Sequence, residues 1–99
     1  MDNSNLPNVI EMEKFVLGAM ILKDGLVIPA VSAIISEDDF YRPEHKLLYR
    51  RILELYNKGV VPNILSLVEI LRQNDEIKKV GEELVGSLSN AAYTTAFAE

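Results

Sequence analysis

The groups in this chain able to move protons are fifteen carboxylates and one histidine, and their spacing argues against catalysis. Glu37, Asp38 and Asp39 are consecutive, whereas paired carboxylates that act as acid and base must stand apart across a substrate. An acidic run ahead of Phe40, Tyr41 and Pro43 reads instead as the cap of a short helical turn, with both aromatics entering a core and the proline opening the next helix. With one histidine and no cysteine, none of the familiar metal-ligand pairs is available. No serine sits in a G-x-S-x-G elbow, and the five glycines never cluster ahead of Gly-Lys-Ser/Thr as a phosphate cradle requires. No catalytic, cofactor-binding or metal-binding residue is assigned to this chain.

Two polar side chains stand out because helical periodicity sets them among apolar neighbours. In a first helix over residues 9–22, Val9, Val16, Leu17 and Met20 share one arc, with Phe15, Ala19 and Leu22 on another. Glu13 falls between Val16 and Leu17 on that wheel, where a bare carboxylate is costly to desolvate. It either escapes at the rim of the core or is buried on a hydrogen-bonding partner. In a third helix over residues 43–58, His45 lies in the apolar half with Leu48, Tyr49, Ile52, Leu53, Leu55 and Tyr56. A hydrogen-bonded core histidine is the expectation there.

The remaining elements follow from turn and cap signals. Lys23-Asp24-Gly25 turns the chain, and a second helix runs over residues 29–35, opened by Pro29. Gly59 stops the third helix, and residues 60–63 form a linker. Ser66-Leu67-Val68-Glu69 matches a capping box and starts a fourth helix that ends near Gln73. Asn74-Asp75-Glu76 turns again, Ile77 tucks onto the core, and a fifth helix spans residues 82–88 before Ser89-Asn90 closes it. Thr94-Thr95 then offers a cap for a further helix over residues 94–99, cut short. The expected fold is all-α: a compact orthogonal bundle of about five to six short helices. It forms one domain over residues 1–99, with residues 1–7 as a flexible lead.

Ten bases against fifteen acids, a net charge of −5, work against a nonspecific grip on phosphate backbones. Five of the bases, Arg42, Lys46, Arg50, Arg51 and Lys58, nevertheless gather on the third helix and its start, either as a solvated face or as a patch for an acidic partner. Leu47 projects from the middle of that charged half, which makes Leu47, Arg50 and Arg51 the candidate interaction surface. The absence of cysteine fits a reducing compartment, and the cytoplasm is the expected location. No apolar tract is long enough to suggest a membrane segment, and nothing resembles an export signal.

Taken in order, the residues resemble the N-terminal domain of the DnaB-type replicative DNA helicases of bacteria and their phages. The resemblance rests on Leu6-Pro7-Asn8, Glu13, Val16-Leu17-Gly18-Ala19, Asp39-Phe40-Tyr41 and His45, and continues through Leu55, Gly59, Pro62, Ser66, Leu71, Ile77, Gly81 and Leu88. Met12, Asn63 and Glu82 depart from the pattern, at caps and turns. The resemblance implies a parent protein that is an ATP-driven hexameric helicase, using ATP and magnesium in a motor that also holds the DNA. It implies that this piece is a non-catalytic head of the N-terminal collar, truncated before a C-terminal helical hairpin. Its partners would be its own copies, paired into a dimer-based hexamer collar, DNA primase, and a helicase loader. Two other readings stay open: a free-standing helical adaptor, and a helix-turn-helix module that would place the third-helix bases on DNA.

Overall fold

The computed structural model describes residues 6–97, with side chains over residues 8–90. Six α-helices follow one another among the described residues, with two 3-10 turns and no strand. They are α1 (Leu6–Met20), α2 (Ile28–Ile34), α3 (Pro43–Asn57), α4 (Ile64–Gln73), α5 (Ile77–Val80) and α6 (Glu82–Phe97), and the turns span Leu22–Gly25 and Glu37–Asp39. The all-α bundle expected from the sequence is the observed fold.

The core is aliphatic with two aromatics. Leu17, Met20 and Ile21 from α1 and the residue after it meet Ile28, Phe40, Leu48, Tyr49, Ile52 and Leu55, and the far side is closed by Leu67, Ile70, Leu71, Val80, Val85 and Leu88. α1 lies along α6, and α3 packs on α1 and α4. α3 forms because Pro43 fixes the first helical φ and apolar residues recur at helical spacing behind it. It stops at Gly59, whose φ of 78° leaves the helical region. The Tyr49 ring packs on Phe40 at 5.1 Å between centroids, and its hydroxyl donates to the Ile35 carbonyl at the end of α2. Burial, then the nearby charge of Asp39, pushes the Tyr49 phenol up from its ordinary value.

The corner after α1 is a run of three left-handed residues, Lys23, Asp24 and Gly25, with φ of 49°, 60° and 85°. Gly25 is buried there, and a Cβ on it would lie 3.0 Å from both Ile28 Cδ1 and Pro62 Cγ. The linker proline is therefore packed against the first corner.

Several local expectations are corrected. Residues 1–5 of the expected lead lie outside the described residues, while Leu6 and Pro7 already belong to α1, as a proline in a first turn can. Asn63, not Ser66, caps α4: its side chain accepts from the Ser66 amide at 2.8 Å while Ser66 Oγ accepts from the Asn63 amide at 3.0 Å. Helix α6 runs unbroken through Ser89 and Asn90 to Phe97, so Thr94 and Thr95 sit inside a helix, not at the start of another; Ala98 and Glu99 lie outside the described residues. Serine and asparagine are mild helix formers, and docking on α1 overrides their turn preference. Phe40 enters the core but Tyr41 is 59% exposed.

Candidate functional site

Glu13 and His45, the two polar residues the wheel placed among apolar ones, are joined. Glu13 is buried in α1, and its Oε1 lies 2.6 Å from His45 Nδ1 on the first turn of α3. A carboxylate only accepts, so the imidazole presents its Nδ1 hydrogen. Oε2 accepts from the Tyr41 amide, and Oε1 also takes the Arg42 amide at 3.4 Å. One carboxylate thereby accepts the two main-chain amides just ahead of α3, at an end that favours negative charge. The escape of Glu13 to the rim is excluded. Spent on three inward donors, this pair is a strut between α1 and α3.

The basic gathering on α3 is largely matched by acids. Arg51 is mostly covered and makes a two-pronged contact with Glu76, Nε to Oε1 and Nη2 to Oε2 both at 2.8 Å, while its Nη1 reaches Glu54 at 2.5 Å. The guanidinium holds the Glu76 carboxyl below the usual carboxylate range, and Glu76 in return raises Arg51. Glu54 is lowered first by Lys58 and then by Arg51. Arg50 reaches across to Glu37 in the turn before α3, with Nη2 2.5 Å from Oε2, and this hydrogen bond lowers Glu37. Arg42 pairs with Glu44 at 3.3 Å. Glu44 is lowered first by its own backbone amide and then by Arg42. Lys46 approaches the Asp38 main-chain oxygen at 3.5 Å.

Of the three residues proposed as a surface, Arg50 is exposed, whereas Leu47 is half-buried and packed against the core, which corrects its placement at the centre of an open charged face. Arg51 faces inward toward Glu76. Sequence reasoning missed Glu37 and Glu76 as partners, since 13 and 25 residues separate them from their arginines and no local signal joins them. Among the described residues, no group of three His, Cys, Asp or Glu side chains could hold a metal ion, and no helix is long and apolar enough to cross a membrane.

The all-α fold agrees with the family that the sequence resembles. The model of the DnaB-like helicase N terminal domain matches residues 5–99. The chain belongs to this family. It is similar to the replicative DNA helicase DnaB of Buchnera aphidicola subsp. Baizongia pistaciae, 32% identical over 95% of this chain and 21% of that protein. The DnaB of Treponema pallidum is 34% identical over 94% of the chain and 21% of its own length, and that of Geobacillus stearothermophilus 29% over 94% and 20%. The chain therefore spans about a fifth of the length of these curated relatives. No solved structure matches it. The residues that carried the resemblance have structural work in this DnaB-like domain: Glu13 and His45 form the strut, Pro62 packs on Gly25, Gly59 ends α3, and Gly81 turns between α5 and α6 with φ of 90°.

Proposed function

We propose that this DnaB-like domain is the N-terminal collar head of a hexameric, ATP-dependent replicative DNA helicase. In this reading it acts in subunit assembly and in docking primase or a helicase loader during DNA replication in the cytoplasm. The match of residues 5–99 to the family's N-terminal domain carries the reading, and the relatives are named replicative DNA helicases. ATP, magnesium and DNA are assigned to the motor of the parent protein, and no catalytic step to this domain. The paired arginines on α3 support protein contacts over a helix-turn-helix role, because bases held by Glu37, Glu54 and Glu76 are poorly placed to neutralise phosphates. The outer face of α3 around Arg50, with Leu47 and Arg51 beneath it, is proposed to lie near an assembly surface.

Sedimentation velocity of the purified chain over a wide concentration range, and its titration with the primase from the same genome, test the reading. Self-association or primase binding is the expected result, with either weakened by Arg50→Glu if the α3 face takes part. A chain that stays monomeric at about millimolar concentration and binds neither primase nor loader would overturn it.

A further inference from the structure

Helix α2 holds on to the bundle by very little. Leu26 just ahead of it is 69% exposed and Ile34 at its end 82%, Val31 is half-buried, and Ile28 is its one buried side chain. α2 lies closely along none of the other helices. It has seven residues, no side-chain cap at its N-terminus, and no charged residue over positions 25–36 to pair it with a neighbour. A helix this short does not stand without packing. A single buried isoleucine supplies most of what it has.

Both ends of the segment are firm. α1 before it is docked on α3 and α6. The turn after it is pinned to α3 by Arg50, whose Nη2 lies 2.5 Å from Glu37 Oε2, and closed by the Ser36 amide donating to Asp39 Oδ2 at 2.8 Å. Two clasps hold the stretch between: Ile28, seated beside Gly25 and Pro62, and the Ile35 carbonyl, which accepts from the Tyr49 hydroxyl. The joint where the stretch begins is strained. Lys23 and Asp24 are successive left-handed residues with φ of 49° and 60°, a region that side-chain-bearing residues enter singly and at a cost. That strain is released when the corner unwinds, so it opposes the closed position.

We propose that residues 23–35 form a hinged strap that opens as a unit while α1, α3, α4 and α6 stay folded, with Lys23 and Asp24 as the strained hinge and Ile28 and the Tyr49–Ile35 hydrogen bond as the clasps. Opening withdraws Ile28 from the core and frees the Tyr49 hydroxyl. It also removes the Ile35 wall from the shallow cavity that Ile35 shares with Val16 and Phe40. Segments with few buried apolar contacts open below the free energy of global unfolding, and the elements that move in a protein are drawn from them.

The test is native-state hydrogen exchange of the ¹⁵N-labelled chain, read by NMR in rising urea below the unfolding transition. The Val31 and Ile35 amides, bonded to the Val27 and Val31 carbonyls at 2.9 and 2.8 Å, report on the strap, and the amide of fully buried Ile52 in α3 reports on the core. Val31 and Ile35 should exchange together, about tenfold or more faster than Ile52 and with a shallower dependence on urea, because less surface is exposed when they open. Lys23→Gly and Asp24→Gly relieve the hinge and should each slow Val31 and Ile35 about fivefold, whereas Tyr49→Phe undoes a clasp and should speed them about fivefold. Glu76→Gln loosens the contact with Arg51 and leaves the strap alone. It should speed Ile52 about fivefold without changing Val31 or Ile35. Exchange of all three amides at one rate and one urea dependence, quickened alike by Glu76→Gln, would place α2 in a single cooperative core and overturn the proposal. Exchange of Val31 and Ile35 that responds neither to urea nor to the glycine substitutions would overturn it as well, since a short helix would then be fraying with no hinge.

Discussion

Glu13 and His45, separated by 32 residues in sequence, meet inside the molecule at 2.6 Å, and the same carboxylate accepts the Tyr41 and Arg42 amides. Removing the carboxylate leaves a buried imidazole and two main-chain donors without a partner. Leaving a buried donor unsatisfied costs roughly 1–3 kcal/mol. Glu13→Ala should therefore lose about 3 kcal/mol of stability in urea unfolding, and Glu13→Gln, which keeps an acceptor oxygen, about half as much. A double-mutant cycle with His45→Ala should show clear coupling. Additive single losses would mean that the two residues act separately.

Arg51 and Glu76 make stability depend on pH in a predictable direction. The guanidinium holds the folded Glu76 carboxyl below the usual carboxylate range. A depressed acid stabilises the fold fully above its unfolded value, and the contribution disappears as pH falls through the folded value. Glu76→Gln should cost about 1 kcal/mol at pH 7, since the contact is two-pronged and largely covered. Urea midpoints of the two proteins should converge as the pH falls through the lowered folded-state value of Glu76. A difference that persists unchanged in acid would show that the glutamine disturbs packing instead of removing a charge.

How far the sequence could be read depended on the range of the forces involved. α3 was legible almost whole, because a proline start, an apolar stripe and a glycine stop are all local signals. Glu13 showed on its wheel that it needed a partner. The partner's identity was not legible, since it depends on how α1 and α3 cross. α6 was misjudged for a related reason: Ser89 and Asn90 signal a turn locally, but the helix continues where it is docked on α1. Leu47 fell on the charged side of an ideal wheel, yet it is half-buried in the bundle and packed against the core. The interaction surface was the least legible part, because the arginines chosen for it find glutamates supplied by distant turns.

The cap of α4 discriminates between two local readings of the same stretch. Asn63 and Ser66 exchange hydrogen bonds, and Ser66 Oγ also donates to the Val61 carbonyl at 2.7 Å. Asn63→Ala should cost about 1 kcal/mol, the usual loss for an N-cap. Glu69→Ala should change the midpoint little, because Glu69 lies beyond the capping turn and is exposed. Equal losses for the two variants would restore the serine-led box.

Three glycines differ in what a methyl group would meet, so one substitution gives three different results. At Gly25 the φ of 85° disfavours any side chain, and a Cβ would also press on Ile28 and Pro62 at 3.0 Å. Gly25→Ala should lose about 2–3 kcal/mol, combining left-handed strain with crowding of the corner. Gly81 has φ of 90° but open space, so alanine there meets strain alone, about 1–2 kcal/mol. Gly86 lies inside α6 with nothing near its Cβ position and an exposed surface. There alanine removes only the excess freedom of the unfolded chain, and Gly86→Ala should stabilise by about 0.5–1 kcal/mol. Urea midpoints ordered Gly86→Ala above the parent, then Gly81→Ala, then Gly25→Ala are the expected outcome; a Gly25→Ala chain as stable as Gly81→Ala would show that the Pro62 linker yields freely and does not brace the first corner.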